Sequence, residues 1–161
     1  MKILGIDPGT TTVGYAIIEK IGQKISLLDY GVIETAPKLA LEKKLVEIGS
    51  DISGLLELHK PERVGVEKLF FNTNITTGIA VSHARGVIIH EIAKRAITLH
   101  EYTPLQIKKA ITSSGTAKKA QLQKAIQMIF GLSEIPKPDD AADAIGIAYM
   151  TGLERDINKD S

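Results

Sequence analysis

Two short runs constrain this chain more than anything else in it. Ile3-Leu4-Gly5-Ile6 and Val64-Gly65-Val66 carry no polar residue, and each ends on an acid, Asp7 and Glu67. A run without polar alternation is buried on both faces, which marks an inner strand with helices packed on either side. The segments between keep to that plan. Val13 to Lys20 and Lys24 to Glu34 are rich in β-formers and are joined by the glycine-containing turn Ile21-Gly22-Gln23. Leu41, Leu45, Ile48, Ile52 and Leu55 recur at helical spacing, predicting a helix over 38–59. A long helix is expected over 73–96, a fifth strand over 97–102, and helices over 104–112, 117–130 and 139–153. Hairpin first, alternation next and helices last give an α/β fold: a five-stranded mixed sheet with helices on both faces.

At 161 residues, 43% apolar and 24% charged, the chain suits one domain with a real core, expected over 1–153, and a short frayed tail over 154–161. No stretch approaches the ~20 apolar residues of a membrane span, so no membrane role is expected. Opening directly into a strand, the sequence shows no basic and apolar leader pattern. The absence of cysteine excludes disulfides and thiolate metal sites. A cytoplasmic protein is the expectation.

The acids carry the chemistry. Asp7 and Glu67 close strands at the edge of an α/β sheet where ligands bind. Asp140 and Asp143 are three apart at the start of the last helix and share one of its faces. Acids in a first helical turn also complement the helix dipole, and Asp139 or Asp140 could be the cap; Asp139 is taken as the cap. Asp143 lies deeper, before the apolar Ala144-Ile145-Gly146-Ile147-Ala148. Carboxylates meeting at one point repel unless a hard divalent cation joins them, and such a site serves metal-assisted chemistry on phosphate. The turn Pro8-Gly9-Thr10-Thr11-Thr12 offers amides and hydroxyls to phosphate, Thr10 first among them, although Pro-Gly also makes ordinary turns.

Charge is unevenly spread. Residues 103–133 hold Lys108, Lys109, Lys118, Lys119 and Lys124 and no acid, within a chain whose net charge is +1. A basic segment beside an acidic cluster suits a polyanion presented to a carboxylate-bound metal, although lysine runs are commonly solvated helix faces. In the 73–96 helix, Ile75, Ile79, Ile89 and Ala93 mark one face, and Val81, Ala84, Ile88 and Ile92 another. That arc is wider than one sheet contact requires. Gly78, Ser82 and Gly86 allow close approach, and a homodimer is expected.

In order along the chain, these motifs resemble those of the RuvC family of Holliday-junction endonucleases, within the ribonuclease H-like superfamily. Ile3-Leu4-Gly5-Ile6-Asp7-Pro8-Gly9-Thr10 is similar to its first motif, and Val64-Gly65-Val66-Glu67-Lys68-Leu69-Phe70-Phe71 to its second. Lys118-Lys119 after Gly115 resembles the basic motif, and Asp139-Asp140-Ala141-Ala142-Asp143-Ala144 the last. The resemblance covers 1–153. It implies a homodimer that binds four-way junction DNA and makes paired symmetric nicks, leaving 5′-phosphate and 3′-hydroxyl ends. It assigns Asp7, Glu67, Asp140 and Asp143 as catalytic metal ligands for Mg²⁺, with Mn²⁺ as substitute. Two ions about 3.5–4 Å apart would activate water and stabilise the leaving oxygen. It makes Lys119 catalytic, Lys108 and Lys118 DNA-binding, and Phe70 a base-stacking residue. It also implies docking with the RuvA–RuvB branch-migration complex.

Other readings fit less of the chain. A small RuvC-like protein of the YqgF group, acting on RNA, shares the first motif but not the Glu67-Lys68-Leu69-Phe70 segment or the length. An actin-like or sugar-kinase lobe uses a similar turn but needs two lobes. A non-catalytic branched-DNA-binding module has no use for four intact acids. The four histidines, His59, His83, His90 and His100, form no group that suggests a base.

Overall fold

The structure is a computed structural model, and it describes residues 1–69 and 74–155. Strands β1 (Lys2–Asp7), β2 (Thr12–Ile21) and β3 (Lys24–Glu34) are followed by helix α1 (Leu41–His59), β4 (Arg63–Glu67) and α2 (Ile75–Ala93). Then come β5 (Thr98–Tyr102), α3 (Pro104–Thr112), α4 (Lys119–Phe130) and α5 (Asp139–Leu153). The five strands lie in the order β3-β2-β1-β4-β5. β1, β4 and β5 are parallel, and β2 and β3 are antiparallel additions. This is the expected mixed sheet with helices on both faces.

Each face has its own core. On one, Leu4, Ile6, Val64 and Val66 meet Ile48, Ile52 and Leu56 of α1 and Ala84, Ile88 and Ile92 of α2. On the other, Ile3, Ala16 and Ile18 meet α5, which is overlaid by Ile107 and Ile111 of α3 and Leu122 and Ile126 of α4. Ile3, Leu4 and Ile6 are wholly buried, as an all-apolar inner strand requires.

Some boundaries differ from expectation. α1 begins at Leu41, because residues 37 and 38 form a turn. α2 stops at Ala93, and Ala96 takes a positive φ of 54° that starts the descent into β5. Asn74 caps α2, its side chain accepting from the Thr77 amide at 3.2 Å. The cap of α5 is Pro138, not Asp139, which is the first helical residue.

The two apolar faces of α2 fare differently. Ala84, Ile88 and Ile92 are buried, while Ile75 and Ile79 are 68% and 51% exposed and Gly86 and Ala93 are open. Gly78 is buried, so it belongs to the inner face and not to the exposed stripe. Among the described residues no helix is long and apolar enough to cross a membrane.

Candidate active site

Asp7 and Glu67 stand at the same edge of the sheet. Their strands run parallel, with Ile6 opposite Val66, and Lys68 donates its N–H to the Tyr102 carbonyl at 2.7 Å, so three strand ends are level. What brings α5 to this edge is a trough of strand glycines. A Cβ on Gly14 would clash with the Asp140 carbonyl, one on Gly5 with Ala144 and Ala148, and one on Gly65 with Thr151 and Ile147. Gly14 pairs with Asp7 in the β1–β2 register, and Gly5 pairs with Gly65 across β1–β4. The helix therefore crosses β2, β1 and β4 diagonally, with its N-terminus over Asp7. Interior strand glycines mark such close approach.

One carboxylate oxygen each from Asp7, Asp140 and Asp143 lies within 4.8 Å of the others. Glu67 joins them through a hydrogen bond shared with Asp7. Burial, and then repulsion from Glu67, Asp143 and Asp140, pushes the Asp7 carboxyl up to about 9. Burial also raises Glu67, where the bond to Asp7 and the charge of Lys108 oppose it. Asp143 is raised by burial against the pull of Lys119. Hard oxygen donors this crowded match the ligand set of Mg²⁺ or Mn²⁺, and a divalent ion would relieve the repulsion.

Lysines close the site from one side. Lys119, at the start of α4, places Nζ 3.0 Å from Asp139 Oδ2 and 3.8 Å from Asp143 Oδ2. Burial pulls its ammonium down, but the bond to Asp139 and the charges of Asp143, Asp139 and Asp140 raise it overall. Asp139 also accepts from Gln123 Nε2 at 2.9 Å. Lys119 and Gln123 hold its carboxyl below the usual range, so it faces the lysine and not the acid cluster. Lys108, on α3, lines a cleft of about 220 Å³ together with Glu67, Lys119 and Asp143. Gly146 lets α3 press onto α5: a Cβ there would meet Ile111 Cδ1 at 2.8 Å. Lys118 diverges from Lys119 and lines a neighbouring groove with Thr112, Ser114, Thr116 and Gln121.

Thr10 is half-buried beside Asp7, its carbonyl accepting from Thr35 Oγ1 at 2.6 Å. Phe70 lies outside the described residues. Sequence reasoning missed Arg85, whose Nε donates to the Glu67 carbonyl at 3.1 Å while another guanidinium nitrogen pairs with Glu101. It also missed the trough, although three glycines inside strand runs were a readable signal.

The comparisons with known proteins agree with this geometry. The family model described as crossover junction endodeoxyribonuclease RuvC matches residues 3–151. The crossover junction endodeoxyribonuclease RuvC of Halothermothrix orenii is 44% identical over 159 residues, covering 99% of this chain and 96% of that protein. The RuvC of Petrotoga mobilis is 45% identical over 152 residues, covering 94% and 93%. The structure of Thermus thermophilus RuvC in complex with Holliday junction substrate superposes with a TM-score of 0.87 at 30% identity, covering 93% of this chain and 92% of that one. The yeast mitochondrial Holliday junction resolvase Ydc2, at 16% identity and a TM-score of 0.67, shares the fold. A chain matched by the family model over nearly its whole length, and by full-length relatives at this identity, belongs to the RuvC family of crossover junction endodeoxyribonucleases.

Proposed function

We propose that Asp7, Glu67, Asp140 and Asp143 are the metal ligands with which this enzyme cuts DNA, and that Lys119 serves them directly. The protein is a metal-dependent endodeoxyribonuclease that resolves Holliday junctions in homologous recombination and repair. The observation carrying the site assignment is the meeting of acids from β1 and α5 within 4.8 Å at a lysine-flanked sheet edge. Asp7, Glu67, Asp140 and Asp143 would hold Mg²⁺ or Mn²⁺, two ions per site, and the bound metal would supply Lewis-acid activation of water and neutralise charge on the scissile phosphate. The chain's own residues do the rest. Burial of Asp7 and Glu67 keeps bulk water from screening their charges. Lys119 leaves Asp139 or Asp143 to offset charge developing on the phosphate. Lys108 and Lys118, with the Thr10 turn, bind flanking phosphates and fix the backbone; Phe70 stacks on bases at the crossover.

The same proposal makes residues 1–153 one nuclease domain acting in the cytoplasm. A homodimer, joined through the exposed stripe of α2, presents two sites to strands of like polarity. The RuvA–RuvB complex is the expected branch-migration partner. The test is incubation with a synthetic four-way junction, a linear duplex and an RNA hairpin, each with Mg²⁺ or EDTA. Paired symmetric nicks confined to the junction and abolished by EDTA are expected, and Asp7→Asn should bind the junction without cutting it. Equal cutting of linear duplex, or cleavage by Asp7→Asn, would contradict the proposal.

A further inference from the structure

Outside the acid cluster, Thr35, Lys44 and Thr151 are buried residues with polar or charged side chains. Thr151 bonds within its own helix, to the Ile147 carbonyl at 2.8 Å. The other two both grip the turn that follows Asp7. The Thr35 hydroxyl donates to the Thr10 carbonyl at 2.6 Å, and its N–H to the Thr11 carbonyl at 2.9 Å. Lys44 Nζ donates to Thr11 Oγ1 at 3.0 Å.

Lys44 is an odd residue for its place. It is only 7% exposed and stands one turn before Ile48 on the α1 stripe that continues through Ile52 and Leu56. An apolar side chain there would extend the core. It is also the fourth residue of the helix, where the dipole disfavours a cation. Burial of an ammonium against one neutral hydroxyl is a poor bargain for stability. Its hydrogen bond is to the turn and not to Asp7 itself.

We propose that Lys44 is a positioning residue for cleavage: through Thr11 it fixes the Asp7–Thr12 turn, and with it the aim of the Asp7 carboxylate into the metal site. This rests on the reading of Asp7 as a metal ligand. Thr35 holds the turn's backbone, while Lys44 holds its side-chain face, so the two grips are complementary.

The experiment compares Lys44→Met, Lys44→Arg, Thr11→Val, the Lys44→Met/Thr11→Val double variant and Asp7→Asn with the parent protein. Single-turnover junction cleavage is measured across a Mg²⁺ titration, with junction binding in EDTA and the unfolding midpoint alongside. Lys44→Met is expected to unfold at the same or a higher temperature, since a buried charge has been replaced by a hydrophobe. It should bind the junction within about twofold of the parent, cleave about tenfold more slowly, and need severalfold more Mg²⁺. Thr11→Val should behave alike, the double variant should be no worse than Lys44→Met, and Lys44→Arg should recover part of the rate. Cleavage by Lys44→Met within about twofold of the parent at every Mg²⁺ concentration would overturn the proposal. So would a loss that merely follows a fall in unfolding midpoint and binding, which would make Lys44 a structural residue only. If Asp7→Asn itself cleaves, the metal-ligand reading fails first; if Asp7→Asn is inactive and Lys44→Met is normal, only the role of Lys44 fails.

Discussion

Asp7 holds a carboxyl where its ionised form is disfavoured, by burial and by three neighbouring acids. That has a consequence in solution. A carboxyl whose folded value is about 9 against an ordinary 3.8 keeps its proton longer in the folded protein than in the unfolded chain. The folded state then binds more protons between those values, so this group lowers stability as pH rises through that window. In EDTA, Asp7→Asn should therefore match the parent near pH 4 and exceed it increasingly toward pH 9. For one group with these values the gain is at most about 1.4 kcal/mol per pH unit across the window, so the unfolding midpoints should differ by at least about 4 °C at pH 8. Thermal unfolding across pH checks this, and a difference that does not grow with pH would contradict it. Asp7 and Glu67 were legible in the sequence because an acid closing an apolar run has no reason of propensity to be there. Arg85 and Lys44 were not. Arg85 acts on a backbone carbonyl across elements, and Lys44 reads as one more surface lysine until its burial is known.

The elements were largely legible, since runs as apolar as β1 and as periodic as α1 leave few alternatives. The ends were less so, because they depend on single backbone conformations such as the positive φ at Ala96. The diagonal path of α5 was hidden for a different reason. It follows from Gly5, Gly14 and Gly65 standing side by side only once β2, β1 and β4 are in register. Helix α2 shows the reverse case: its sequence announced more apolar surface than its own fold covers. Ala84, Ile88 and Ile92 are consumed inside, and Val87 reaches Gly49 of α1, where an added Cβ would come within 3.1 Å. Ile75 and Ile79 remain open. If this stripe joins two copies, Ile79→Glu should reduce the solution mass to that of one 17.4 kDa chain and replace paired nicks by single, uncoupled ones. Light scattering beside a cruciform-plasmid assay reads both. A variant that stays dimeric would place the interface elsewhere.

Across the whole molecule, Asp7, Glu67 and the Asp140–Asp143 pair come from three distant segments and meet because three structural facts coincide. Parallel strands end level, a glycine trough admits a helix, and two further helices bring lysines to its flank. The lysines keep apart what the sequence joined: Lys119 faces the acids, while Lys118 faces the adjoining groove. The proposed function requires the four acids to hold metal together. The direct measurement is an anomalous difference map from crystals grown with Mn²⁺. Density enclosed by the carboxylates of Asp7, Glu67, Asp140 and Asp143, and lost in Asp7→Asn crystals, is the predicted result. Manganese bound elsewhere, with these carboxylates free, in protein that still cuts junctions would contradict it.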